Sequence, residues 1–89
     1  MQAQISRQVE ETPVMRANRL LAEARVAASE QVAQLERSMN LAATLSAEIA
    51  SGGDIYPVGV RELCRRMTEE TEARGRTLHA LSARLLPAL

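Results

Sequence analysis

Gly52-Gly53-Asp54-Ile55-Tyr56-Pro57 is the one strong break inside a chain that otherwise reads as helix. Glycine suits the left-handed position just past a helix end, and proline suits the first turn of the next helix. The order here is glycine first and proline second, so one helix stops and another starts. The reading is an all-α fold: a long antiparallel helical hairpin, with helices over about 13–51 and 58–86, dimerising into a four-helix bundle. Asp54 is placed to accept amide hydrogen bonds in the turn or to help cap the second helix. Tyr56 is placed to cover the bundle end together with Ile55 and Val58.

Composition supports helix over strand. Tyr56 is the only aromatic residue, and the apolar residues are mostly Ala and Leu. Those two, with Glu, Gln and Arg, are the strongest helix formers, whereas strands favour β-branched and aromatic residues. A length of 89 residues makes one domain, not two. Thr12-Pro13 reads as an N-cap followed by proline at the first helical position. Residues 1–12 are then a polar arm, frayed or a short helix, and 13–89 form the hairpin domain.

Eleven basic residues, all Arg, balance eleven acidic ones. Neutrality gives little long-range pull toward nucleic acid or an anionic membrane. No run approaches the roughly 20 apolar residues of a membrane span. Cys64 stands alone, and the first residues carry no apolar secretion signal. The expectation is a cytoplasmic protein that needs neither membrane nor disulfide.

Between Pro13 and Ser51 there is no Gly and no second Pro, enough for about 58 Å of helix. Val14, Leu21, Ala28, Leu35, Ala42 and Ile49 recur every seven residues as an unbroken apolar row. Ala17, Ala24, Gln31, Ser38 and Leu45 run beside it, and Leu20 opens a flanking row. In the second helix the expected facing rows are Cys64, Thr71, Leu78 and Leu85 with Val60, Met67, Arg74 and Leu81. Glu62–Arg66, Glu70–Arg74 and Glu72–Arg76 are expected as exposed pairs at four-residue spacing. Gly75, inside this helix, carries a propensity penalty that a close helix approach would offset.

A hairpin folded about Asp54 and Ile55 brings Ala42 near Met67, Leu35 near Arg74 and Gln31 near Leu78. Gln31, Gln34 and Ser38 then lie opposite Thr71, Arg74 and Gly75 as a polar layer that fixes register. The stretch from Pro13 to about Ala22 has no second-helix partner. A small chain with one thin core and no staples needs an assembly. The expected interface is Val14, Leu20, Leu21, Ala28, Leu35 and Ala42, and the expected partner is a second copy, or failing that another helical protein.

No residue carries a catalytic, cofactor or metal signature. His79 lacks the Glu-x-x-His spacing of di-metal bundles. Cys64 falls on an inner row and reads as core. Arg61, Arg65 and Arg66 form the densest basic cluster and are the candidate anion contact. The expectation is a non-enzymatic interaction or oligomerisation module, an adaptor or scaffold. A small nucleic-acid accessory protein is the alternative, and a metal or redox bundle is disfavoured. The Ala-, Arg- and Glu-rich composition resembles that of small bacterial helical proteins and implies no specific activity.

Overall fold

A computed structural model of the chain describes residues 10–85. The expected arm therefore lies mostly outside the described residues, as do Leu86 and Pro87. Two long helices, α1 (Pro13–Ala50) and α2 (Val58–Ser82), pack antiparallel around a 3-10 turn at Gly53–Ile55. No strand occurs among the described residues.

The start of α1 follows from its cap. The Met15 backbone N–H donates to Thr12 Oγ1 at 3.1 Å, and Pro13 fills the first helical position, where no amide partner is needed. Glu11 adds a bidentate clasp on Arg19, with bonds of 2.9 and 3.1 Å. The helix stops at Ala50, one residue before the expected end, where the Ser51 N–H donates to the Ala47 carbonyl. Pro57 stands just outside α2, at its cap, and not in its first turn. At the other end α2 stops at Ser82, short of the expected Leu86.

Small residues make up most of the contact between the helices, joined by Val32, Glu36, Met39, Arg61 and Leu78. Solvent is withdrawn from Ala28, Ser29, Val32, Ala33, Glu36, Met39, Ala43, Ser46, Ile49 and Ala50 on α1. It is withdrawn from Arg61, Cys64, Thr68, Thr71, Gly75, Leu78 and Ser82 on α2. Only Ala43, Ser46 and Cys64 among the described residues are buried. The Thr68 hydroxyl, on this seam, is satisfied within its own helix: its Oγ1 donates to the Cys64 carbonyl at 2.8 Å.

This seam corrects three expectations. The row of Cys64, Thr71 and Leu78 does face α1, but its companions are Arg61, Thr68, Gly75 and Ser82. Val60, Met67, Arg74 and Leu81, one position earlier, stay exposed. The register is also shifted. Met39 lies at Gly75, and Glu36 at His79 and Ser82. Gly75 and His79 lie about five and six residues, and Ser82 about nine, beyond the partners that a turn centred on Asp54 and Ile55 provides, a displacement of at least roughly 7.5 Å of rise. The 3-10 turn explains the shift: it adds a further turn of coil to the end of α1 and moves the reversal toward Pro57. Finally, no polar layer spans the two helices, because Gln31, Gln34, Ser38 and Arg74 all point to solvent.

The shift also lengthens the overhang. Every residue from Thr12 to Ala27 is exposed, so the unpartnered part of α1 runs well past Ala22.

The turn is held by one ring. Gly53 adopts φ +79°, the left-handed conformation that glycine tolerates best. Gly52 has ordinary backbone angles but lies under Tyr56, where an added Cβ would come within 2.5 Å of the ring. Gly52→Ala therefore displaces Tyr56 and destabilises the hairpin, by about 1 to 3 kcal/mol. In the background of Tyr56→Ala the same substitution is expected to be nearly neutral; a double-mutant cycle in urea measures the coupling. Gly75 behaves oppositely. A Cβ there would meet only Met39, at 3.9 Å, an ordinary contact. The helices do not need glycine at this point, so Gly75→Ala is expected to stabilise the protein by up to about 1 kcal/mol in thermal unfolding.

Candidate functional site

The seam divides the hairpin into two faces of opposite character. A position just before or just after a seam residue is turned from it by about 100° to one side or the other. Because the helices are antiparallel, the preceding positions of both helices fall on the same side, and the following positions on the other.

The following positions make a polar face. Asn40 and Thr44 of α1 share it with Arg65, Glu72, Arg76 and His79 of α2. Glu36, Asn40, Glu72, Gly75, Arg76 and His79 line a shallow open groove of about 510 Å³ there. Within it His79 Nδ1 is 3.2 Å from Glu36 Oε2, and Ser82 Oγ donates to Glu36 Oε1 at 3.2 Å. Ser82 Oγ is also 2.9 Å from the His79 carbonyl. Serine, histidine and carboxylate thus meet, but in the wrong order for a nucleophile. The serine hydroxyl bonds to the carboxylate and to a carbonyl, and the imidazole Nδ1 faces the same carboxylate, so the imidazole is not placed to withdraw the hydroxyl proton. The cluster is an interhelical tie. Sequence reasoning missed it because the expected register set Glu36 against Ala73; His79 and Ser82 at three-residue spacing carry no sign of a partner 43 positions away.

The three candidate arginines are drawn to different tasks. Arg61 Nε donates to the Tyr56 carbonyl at 3.1 Å, and its guanidinium lies 3.7 Å from Asp54, so it braces the turn. Arg65 grips Glu62 with bonds of 2.7 and 2.6 Å. This replaces the expected Glu62–Arg66 pair. Neither Glu70–Arg74 nor Glu72–Arg76 is formed among the described residues, where the ion pairs lie at Glu11, Glu23, Asp54, Glu62 and Glu36. Arg66 lies about 100° around the helix from Arg65. The cluster is dense in sequence and divergent in space.

The preceding positions make an apolar face. On α1 they are Ala28, Gln31, Leu35, Ser38, Ala42, Leu45 and Ile49. On α2 they are Val60, Leu63, Met67, Glu70, Arg74, Thr77 and Leu81. Leu35, Leu63 and Leu81 are each half exposed, at 52%, 51% and 50%. Val14 and Leu21 continue the α1 row along the overhang, with Leu20 beside it, and all three are exposed. Apart from Ala28 and Ile49, which are half-buried, the seven-residue row most apolar in sequence lies outside the hairpin seam, along its flank. Cys64 is buried in the seam, as expected of a packing residue.

Among the described residues, no group of three or more His, Cys, Asp or Glu is placed to hold a metal ion. No described helix is long and apolar enough to cross a membrane. Set against known proteins, the chain matches no family model, no curated protein and no solved structure.

The exposed ion pairs give a small pH dependence of stability in one direction. The hydrogen bond from Arg65 holds the Glu62 carboxyl below its ordinary value, and that from Arg19 does the same for Glu11. A carboxyl lowered in the folded state binds its proton more readily when unfolded. Its contribution is thus present above the unfolded value and is lost as pH falls through the folded one. Helicity and unfolding midpoint are expected to hold steady from neutrality down to about pH 5 and to decline below about pH 4. The Glu11→Gln, Glu62→Gln double variant is expected to show a flatter decline by circular dichroism.

Proposed function

We propose that this chain is a non-enzymatic helical module that works by self-association, as an adaptor or scaffold built on a homodimer. One observation carries the reading: Leu35, Leu45, Leu63, Met67 and Leu81 lie exposed on one face of the hairpin, and Val14 and Leu21 continue that row along the overhang. Monomers rarely leave so long an apolar stripe open to water. A two-helix unit with three buried residues has little with which to offset chain entropy, and a second layer of helices supplies the missing burial.

Sedimentation equilibrium tests the reading. The expected mass is twice that of the 9.7 kDa chain at micromolar concentration. The melting temperature is expected to rise with protein concentration, as dimers require and monomers do not. A folded monomer with a concentration-independent melting temperature overturns the proposal.

A further inference from the structure

Resting on the self-association reading, we propose how the second copy sits. Two hairpins stack apolar face on apolar face, with each helix antiparallel to its own copy. The two-fold axis crosses the face at Ala42, so that Glu70 of each copy pairs with Arg74 of the other.

The charges on the face carry the argument. Glu70 and Arg74 are the only charged residues among its positions from Ala28 to Ile49 and from Val60 to Leu81. They stand one helical turn apart, yet neither is in an ion pair among the described residues. Covering this face with an apolar partner would bury both charges uncompensated, which costs several kcal/mol. A two-fold operation places residue i on residue j of the copy and j on i. An axis midway between Glu70 and Arg74 therefore satisfies both charges twice, with no third residue required.

The same axis suits α1. Since Met39 lies at Gly75, Ala42 lies level with Glu72, midway between Glu70 and Arg74. Ala42 thus meets Ala42 of the partner subunit, and two methyl groups allow close approach. Leu35 falls against Ile49 of the partner subunit, and Leu45 against Ser38 of the partner subunit. An axis running along the helices instead sets Arg74 over Ser38 and Ala42 of the partner subunit, where there is no carboxylate. The charges select the first arrangement.

Analytical ultracentrifugation of full-length charge variants tests it. Glu70→Arg alone and Arg74→Glu alone each set like charges across the axis and are expected to weaken self-association at least about tenfold. Mixed in equal amounts, the two variants regain opposite charges at both contacts and are expected to form a heterodimer, read by native mass spectrometry. A purely intrahelical role for the pair predicts no such rescue. If a single variant loses helicity, a cross-link replaces it. In a Cys64→Ser background, Ala42→Cys is expected to give disulfide-linked dimers on mild oxidation, and Thr44→Cys on the polar face is not. A wild-type dimer whose variants associate undiminished, or whose Ala42→Cys form fails to cross-link, overturns this axis and leaves self-association standing. A monomeric wild type overturns both.

Discussion

The two helices of this hairpin meet through small side chains, and most of the molecule's character follows from that. Ala43, Ser46, Cys64 and Gly75 occupy the seam, with Thr68 and Thr71 between them. Small residues let two helices approach, but they remove little apolar surface from water at about 25 cal/mol per Å². The larger residues one position to the side, among them Leu35, Leu63 and Leu81, keep about half of their surface in water. The seam therefore sets the geometry of the pair without supplying most of the stability that a folded chain of this size requires.

Antiparallel packing then sorts the surface. Reversing one helix puts the residues before each seam position on a common face, and those after it on the other. On one side lie Leu35, Leu45, Leu63 and Met67; on the other, the Glu36–His79–Ser82 tie and the Glu62–Arg65 clasp. A pair of amphipathic helices becomes a single amphipathic slab, wet on one side and apolar on the other. The exposed ion pairs on the wet side add little stability each, and they keep that side in water. The slab's apolar side is the part of the structure from which its function is read.

The turn decides which residues share a level. Tyr56 lies over Gly52, Gly53 takes the left-handed angle, and Arg61 ties the Tyr56 carbonyl to α2. These contacts hold a 3-10 turn that lengthens the path from α1 to α2. A tighter reversal would bring Glu36 to Ala73 and break the polar tie to His79 and Ser82 that joins the helices far from the turn. Register and turn chemistry are one feature here, because the turn's extra coil is what brings Glu36 to His79.

Much of the fold was legible in the residues. The glycine-then-proline order marks the reversal, Thr12-Pro13 marks the start of α1, and a seven-residue apolar row marks helices that pack along their length. These are local signals, set by backbone sterics and side-chain spacing, so they need no partner to be read. The rotation of each helix about its axis was not legible. Periodicity identifies an apolar stripe but not what covers it, and Val14 to Ile49 looks the same whether it faces α2 or a second copy. Only tertiary packing decided that mostly small residues, with Val32, Met39 and Leu78, meet inside the hairpin while Leu35, Leu45, Leu63, Met67 and Leu81 stay outside. It decided the register for the same reason: the 3-10 turn at Gly53–Ile55 arises from contacts between Tyr56, Gly52 and Arg61, which no spacing rule encodes. Sequence alone determined that there are two helices and where they reverse; the structure decided which faces they spend on each other, because small side chains permit the closest approach.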